Sequence, residues 1–195
     1  MTSPLPQSAL EQLFTKARSR NAWRKESLPD STWHDLYDVM KFGPTSANLS
    51  PARFVFVTTP EGKGRLAPHL SESNRAKSLD APAIVIIAHD LAFADKAEEL
   101  FPINPGVGAW FASPAVAEVT ALRNGSLQGA YLMLAARAIG LDAGPMSGFN
   151  NAGVDEAFFA GTTWKSNFIC NLGHGIDESF PRLPRLAFET ACQIV

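Results

Sequence analysis

The run 83–88 (AIVIIA) constrains the fold more than any other feature of the sequence. All six residues are apolar, whereas a strand with one solvent-exposed face alternates apolar and polar residues. The run therefore indicates a strand that is covered on both faces. The runs 53–59 (RFVFVTT) and 166–172 (SNFICNL) have the aromatic and β-branched residues of two more strands. Three strands interleaved with helical patterns predict an α+β domain of two or three layers.

Most helices are predicted from apolar residues that recur at intervals of three and four. A first helix carries Ser8 and Glu11 at the spacing of a capping box. A second helix starts at Asp30 or Ser31 and ends before Gly43. Shorter helices are predicted over 61–70, 72–79, 91–100 and 155–159.

The longest predicted helix starts with Ser113 as its N-cap and Pro114 in its first turn, and it ends near residue 140. Its segment 127–139 is apolar on most faces, with Gln128 and Arg137 as the exceptions. A helix of this kind must be covered on most sides. The cover comes from the domain itself or from a second subunit.

Composition excludes several classes of protein. A chain of 195 residues predicts one domain, residues 1–195. Its 17 basic and 19 acidic residues give a net charge of -2, so nucleic acid is not an expected partner. No apolar run approaches the roughly 20 residues that span a membrane, and the four histidines lack the spacing of metal ligands. Cys170 and Cys192 stand in apolar surroundings without a CxxC motif, which predicts buried free thiols in the cytoplasm.

A polar loop is predicted between the second helix and the first strand, over 43–54 (GPTSANLSPARF). Gly and Pro keep this run out of helix and sheet, so its backbone N–H groups and hydroxyls are available to a polar ligand. The alternative is a plain helix-to-strand turn.

Three other segments combine turn residues with basic or small side chains. The run 18–21 (RSRN) is predicted at the end of the first helix. It either binds a phosphate or is a solvated basic helix end that complements the helix dipole. Residues 141–149 (LDAGPMSGF) predict a turn that exposes backbone to a flat ligand, or a plain connector. In the tail, Arg182 and Arg185 either form a second basic site that binds an anion or belong to a solvated tail. The GxGxxG and GxxxxGK[ST] phosphate motifs are absent from the sequence.

Five segments in this order resemble the flavin-dependent nitroreductase family, over about residues 10–190. They are RSRN, GPTSANLSPARF, NRAKSLDAP (74–82), GLDAGPMSGF (140–149) and the terminal RLP (182–184). GPTSANLSPARF, GPMSGF and RLPRLAFE are most similar to the malonic semialdehyde reductase branch of that family.

The resemblance implies an α+β fold, a three-layer α/β/α sandwich, in an intertwined homodimer with FMN at two interface sites. It implies that the tail, about residues 180–195, extends over the partner subunit. NADH or NADPH would supply the hydride, and malonic semialdehyde would be reduced to 3-hydroxypropionate, with Lys77 or Arg53 beside its carboxylate. The alternatives are a broad nitro or quinone reductase and a flavin-binding module without turnover.

The resemblance also implies a role for each matching residue, with the chemistry on FMN and no side chain assigned as catalytic. The phosphate would be held by Arg18, Ser19, Arg20 and Arg182. Asn21 and Asn74 would meet the ring or the ribityl chain, and Lys77 would stabilise the charge of reduced flavin. The partner's flavin would be covered by Pro44, Thr45, Ser46 and Asn48. The ring edge near the hydride-carrying nitrogen would meet Pro145, Met146, Ser147 and Gly148.

Overall fold

One antiparallel sheet organises the chain in the computed structural model, which describes residues 3–176 and 181–195. Its strands are β1 (Ala52–Val57), β2 (Ala83–Asp90), β3 (Asp142–Met146) and β4 (Trp164–Gly173). Their order is β1-β2-β4-β3, and all neighbours are antiparallel. Every residue of β2 is buried, as the apolar run predicts.

Strand β3 corrects the prediction of a turn over 141–149. The turn residues Gly144 and Pro145 lie inside this strand, which pairs with β4. Because β3 is at the edge of the sheet, the missing N–H of a proline costs no ladder hydrogen bond on its outer side. Of this run, Leu141 and the residues after Met146 lie outside β3.

Helices connect and cover the strands. In chain order they are α1 (Gln7–Leu10), which continues as a π-helical stretch (Glu11–Thr15), α2 (Ser31–Met40), α3 (Pro60–Leu66), α4 (Glu72–Leu79), α5 (Ala97–Leu100), α6 (Pro114–Ala138), α7 (Asn151–Phe159) and α8 (Phe188–Ala191). Short 3₁₀ turns cover Ser46–Asn48, Ala67–His69, Phe93–Lys96 and Pro105–Phe111. The predicted N-cap bond of Ser8 does not form, because the helix starts two residues earlier than that cap implies, with Pro6 at the N-cap position.

The helices lie on both faces of the sheet. On one face, Leu36 of α2 and Leu132 of α6 pack against Val85 of β2. On the other face, Leu66 of α3 and Val154 of α7 pack in a second cluster with alternate residues of the same strand. Successive side chains of a strand point to opposite faces, so β2 contributes to both clusters. The predicted three-layer α+β sandwich is therefore confirmed.

The two cysteines differ in their surroundings. Cys170 is fully buried in β4, and burial raises the pKa of its thiol to about 12. The thiol therefore stays protonated near neutral pH and is no nucleophile. Cys192 is exposed, so the prediction that it is buried is wrong. It belongs to the tail 181–195, whose residues are all exposed in the single chain.

Helix α6 has an uncovered apolar face. The helix starts at Pro114 after Ser113, as predicted, and it runs without a break at Gly125. Four apolar residues on one side of it are 43–52% exposed, and we call them the α6 stripe: Val116, Val119, Leu122 and Leu127. Contiguous exposed apolar residues of this kind mark interaction surfaces. No helix within the described ranges is long and apolar enough to cross a membrane.

Candidate functional site

The run 18–21 belongs to an extended segment rather than to a helix end. The helical stretch ends at Thr15, and the backbone of residues 19–24 is then held on two sides. Arg20 N donates to Ala143 O of β3 at 3.1 Å. On the other side, Arg24 N donates to His174 O at 2.9 Å, just after β4. The interpretation of this run as a basic helix end is therefore wrong.

A glycine allows this segment to lie against the sheet. A Cβ atom at Gly144 would overlap the carbonyl oxygen of Arg20 and would meet the ring of Trp23 at 3.1 Å. Asp142 adds a second attachment, because its carboxylate accepts from Arg20 Nε at 3.2 Å and from Gly175 N at 2.9 Å. The segment is thus fixed at the edge of β3.

An arginine-rich cavity of about 640 Å³ lies beside the segment. Its lining residues are Phe14, Thr15, Ala17, Arg18, Ser19, Asn21, Arg137, Arg182, Leu183 and Arg185. None of these described lining residues carries a carboxylate. Guanidinium groups bind phosphate through paired, charge-assisted hydrogen bonds, so the cavity suits an anionic group.

Hydrogen bonds between the two ends of the chain close this cavity. Arg182 Nη2 donates to Ala17 O at 2.7 Å, and Arg18 Nη2 donates to Pro181 O at 3.4 Å. Three of the predicted phosphate-side residues, Arg18, Ser19 and Arg182, therefore meet at one cavity, together with Asn21, which was predicted to meet the ring or the ribityl chain.

Arg137 is a cavity residue that the sequence analysis did not assign to the site. Its Nη1 donates to Leu13 O at 2.8 Å, while its Nε is buried and has no hydrogen-bond partner among the described residues. Burial lowers the pKa of the Arg137 guanidinium, and the positive charge of Arg182 lowers it further. An anion in the cavity would favour the charged form of the guanidinium and so offset both effects on its pKa. The sequence signal that could have identified Arg137 is its position as a cation within the otherwise apolar segment 127–139.

Arg20, in contrast, does not line the cavity. Its Nε pairs with Asp142 Oδ1 at 3.2 Å, and its side chain is only 18% exposed. This geometry does not support the predicted contact between Arg20 and a phosphate. The guanidinium instead holds the segment to β3.

A second group of predicted residues lies next to the cavity, around α4. Lys77 Nζ donates to Asn21 Oδ1 at 3.2 Å, which joins α4 to the cavity. Asn74 is buried, and its Nδ2 donates to Gly148 O at 3.0 Å. Pro145 and Ser147, on either side of the half-buried Met146, are exposed. Hydrogen bonds thus link the cavity residue Asn21 to Lys77 of α4, and Asn74 of α4 to Gly148.

The loop 43–54 is held by the middle of α6. Ser46 N donates to Asn124 Oδ1 at 2.8 Å, and Tyr131 OH donates to Pro44 O at 2.9 Å. Thr45 Oγ1 accepts from the backbone N–H of residue 50 at 3.1 Å. The buried amide of Asn124 was not singled out in the sequence, because nothing local distinguishes it from other helix residues.

The loop holds a strained backbone. Ala47, Asn48 and Ser50 have φ values of 48°, 56° and 42°, in the left-handed region that non-glycine residues rarely adopt. Such strain costs about 1–3 kcal/mol per residue and concentrates at functional sites. The strain agrees with a functional loop rather than a plain turn.

Within one chain the loop and the cavity are apart. No described residue of the loop lines the cavity. Asn124, which anchors the loop, and Arg137, which lines the cavity, lie about 20 Å apart along α6 at 1.5 Å per residue. The structure therefore does not bring Pro44, Thr45, Ser46 and Asn48 together with the other predicted site residues of the same chain.

Comparison with known families identifies the chain. The model of the nitroreductase family matches residues 2–174. The chain belongs to the nitroreductase family. A relative from Caulobacter sp. strain K31 is 57% identical over 192 residues, which cover 98% of each chain. The HadB protein of Ralstonia pickettii is 57% identical over 190 residues, covering 95% of this chain and 97% of its own length. Both carry the provisional name NADH dehydrogenase/NAD(P)H nitroreductase.

Solved structures agree with the nitroreductase fold. The ydfN protein of Bacillus subtilis, provisionally named a nitroreductase, superposes with a TM-score of 0.87 at 18% identity, over 97% of this chain and 100% of its own. A provisionally named nitroreductase of Exiguobacterium sibiricum, solved in complex with FMN, gives a TM-score of 0.86 at 19% identity, over 100% and 99% of the two chains. These likenesses establish the fold.

The family and the enzyme class predicted from the sequence are therefore confirmed. This nitroreductase is an oxidoreductase, and its family extends over most of the described chain. The roles of single residues at the site stay predictions, and so does the acceptor.

Proposed function

We propose that this nitroreductase is an FMN-dependent NAD(P)H oxidoreductase that reduces malonic semialdehyde to 3-hydroxypropionate. The observation that carries the proposal is the arginine-lined cavity, joined through Asn21 and Lys77 to the surface of α4 and residues 145–148. The names of the two relatives support NADH or NADPH as the hydride donor.

The chemistry of the cavity fits the phosphate end of FMN. Arg18, Arg137, Arg182 and Arg185 supply four guanidinium groups, and Ser19 adds a hydroxyl. A phosphate would be paired there with guanidinium groups, none of the described lining residues carries a carboxylate, and the buried Nε of Arg137 would gain an acceptor. The volume of about 640 Å³ lies within the range of cofactor pockets.

Bound FMN would supply the chemistry of hydride transfer between NAD(P)H and the acceptor. The chain supplies position and charge for this chemistry. Asn21 and Asn74 would present amide groups to the cofactor, and residues 145–148 would present backbone to its ring edge. Lys77 places an ammonium group at the ring side, where it stabilises negative charge. No side chain is assigned as the proton donor.

The working unit is a homodimer of one domain, residues 1–195. The loop 43–54 contributes to the partner's site, since it does not reach the cavity of its own chain. The α6 stripe and the exposed tail cover the partner, with the tail running over it from about residue 180. The cytoplasm, where NAD(P)H is available, is the proposed location.

The acceptor proposal rests on the branch resemblance and on one cation. Arg53 forms an ion pair with Asp90, with its Nη2 2.7 Å from Asp90 Oδ2. Its Nη1 also donates to the carbonyl oxygen of Ala52 at 2.9 Å. The ammonium of Lys77 instead donates to the neutral side chain of Asn21 at 3.2 Å. Lys77 is therefore the better candidate to meet the carboxylate of an acidic aldehyde.

Replacement of Arg18 by alanine is expected to raise the dissociation constant of FMN about 10- to 150-fold. This corresponds to about 1.5–3 kcal/mol, the range for a hydrogen bond to a charged group. Fluorescence titration of the apoprotein with FMN measures the change. Lys16→Ala is the matched control, because it removes a cation close by that pairs with Glu11 and does not line the cavity. Equal affinities of Arg18→Ala and wild type would remove Arg18 from the phosphate site.

Anaerobic absorbance spectra test the whole proposal. Flavin bands should bleach on addition of NADH or NADPH and return on addition of malonic semialdehyde. Recovery only with a quinone or a nitro compound would discard the aldehyde and favour the broad reductase. A flavin that neither nicotinamide bleaches would indicate a binding module without turnover, and a protein that cannot be reconstituted with FMN would overturn the site.

A further inference from the structure

The carbonyl oxygen of Lys77 is held by two buried side chains from distant parts of the chain. Trp23 Nε1 donates to it at 3.0 Å, and Asn171 Nδ2 donates to it at 3.3 Å. Lys77 lies in the last turn of α4, where helix carbonyls have no partner within the helix. Trp23 is 4% exposed and Asn171 is fully buried, so water does not compete for this oxygen.

Trp23 and Lys77 also belong to a reciprocal contact between two segments. The indole of Trp23 donates to the backbone of Lys77, while the ammonium of Lys77 donates to the side chain of Asn21 at 3.2 Å. The segment 21–23 therefore fixes both ends of Lys77, its backbone and its Nζ. The same segment continues directly from the Arg18 and Ser19 that line the cavity.

Burial of the polar side chain of Asn171 is energetically unfavourable. It lies in β4 between the buried apolar neighbours Cys170 and Leu172, and its Oδ1 has no hydrogen-bond partner among the described residues. A buried acceptor without a partner is unfavourable, so an apolar residue would suit the core better. The amide orientation is determined by its Nδ2, which donates to the Lys77 carbonyl and to Ser78 Oγ at 3.2 Å. The polar side chain therefore binds α4, and it does not stabilise the apolar core around it.

Other contacts leave α4 little freedom to shift. At its start, Asn74 Nδ2 and Ser71 N both donate to Gly148 O at 3.0 Å. At its end, Lys63 Nζ donates to Leu79 O at 3.1 Å. A helix fixed at both ends transmits the position of its backbone to the side chain of Lys77.

From this geometry we propose that Trp23 and Asn171 are positioning residues that aim the ammonium of Lys77 and thereby set the reduction potential of bound FMN. The inference rests on the proposed function. An ammonium held in one place stabilises the negative charge of reduced FMN more than one that moves, because the electrostatic contribution depends on a preorganised charge. Loss of either hydrogen bond should make bound FMN harder to reduce.

The experiment compares two-electron midpoint potentials of FMN in wild type, Trp23→Phe, Lys77→Met and the double variant. Trp23→Phe keeps an aromatic ring and removes the donor. We expect about a tenfold fall in the equilibrium constant for reduction, which is about 30 mV for a two-electron couple. Lys77→Met should lower the potential at least as far. In the Lys77→Met background, Trp23→Phe should add no further shift, since it acts through Lys77.

Trp33→Phe is the matched control. Trp33 is 8% exposed, and its Nε1 has no hydrogen-bond partner among the described residues. Its replacement should lower thermal stability without changing the midpoint potential of FMN. The control therefore separates the effect of lost core packing from the effect of a mispositioned Lys77 ammonium. Asn171→Ser is the second variant if Trp23→Phe fails to fold, and it should shift the potential in the same direction.

The outcomes separate the two proposals. An unchanged potential in Trp23→Phe or Asn171→Ser, or additive shifts in the double variant, would overturn the positioning role. A wild type that binds no FMN would overturn the proposed function instead. A variant that melts earlier and keeps the wild-type potential would make Trp23 a purely structural residue.

Discussion

Replacement of Gly144 by alanine is expected to release the segment 19–24 from the sheet and to remove most FMN binding. The new Cβ would overlap the carbonyl oxygen of Arg20, and a backbone atom cannot rotate away as a side chain can. The segment would have to shift, which would displace Arg18 and Ser19 from the proposed phosphate and cost about 3 kcal/mol of hydrogen bonding to a charged group, or about 100-fold in affinity. We expect about 100-fold weaker FMN binding and a free energy of unfolding lower by about 1–3 kcal/mol, as in other overpacked sites.

Flavin content of the purified protein, FMN titration and thermal unfolding measure these effects. Gly64→Ala is the control, because a Cβ atom there would meet nothing within 4 Å and the residue lies inside α3. It should bind FMN normally and unfold at the same temperature or higher, since alanine favours helix over glycine. Wild-type behaviour of Gly144→Ala would show that the close approach at β3 does not hold the segment.

Replacement of Leu122 by aspartate should dissociate the proposed dimer and remove FMN with it. Leu122 is 45% exposed in the single chain and belongs to the α6 stripe. A carboxylate at this position would be buried without a partner in the dimer, which costs about 3–5 kcal/mol. Because the loop 43–54 is proposed to complete the site of the partner, the monomer should lose the cofactor.

Light scattering gives the mass of Leu122→Asp, and circular dichroism shows whether the monomer is folded. Leu122→Met serves as the control at the same position, since it keeps an apolar side chain and should remain dimeric with bound FMN. A Leu122→Asp protein that stays dimeric would exclude the α6 stripe from the interface. A wild-type monomer with full FMN occupancy would contradict the shared site altogether.

Local signals in the sequence were sufficient for several elements. The apolar run of β2 predicted a strand buried on both faces, and α4 has the bounds 72–79 that its pattern predicted. Serine and proline at 113–114 marked the start of α6. Each of these depends on the sequence within a few residues of the element.

Features that depend on neighbours distant in sequence were not predictable in the same way. Gly144 and Pro145 indicate a turn until the edge position of β3 is known. Arg20 has the same chemistry as Arg18, and only Asp142 opposite it explains why it faces the sheet. Contacts of Trp23 and Asn171 with Lys77 depend on pairs separated by 54 and 94 positions.

The candidate site was accessible mainly through the family resemblance. Arg182 and Ala17 are 165 positions apart, and no spacing rule joins them. The resemblance named Arg18 and Arg182 for one phosphate, and they line one cavity. It did not name Arg137, whose position at the end of α6 emerges only when the first helical stretch is packed against that helix.

The contact between the two chain ends has a consequence for biosynthesis. Arg182 donates to Ala17, and it is synthesised after all four strands and after α6. Chains fold from the N-terminus as they are made, so the sheet and α6 assemble while one wall of the cavity is still missing. The cavity can therefore enclose an anion only after residues 182–185 have been made, so binding there follows the folding of the sheet and α6.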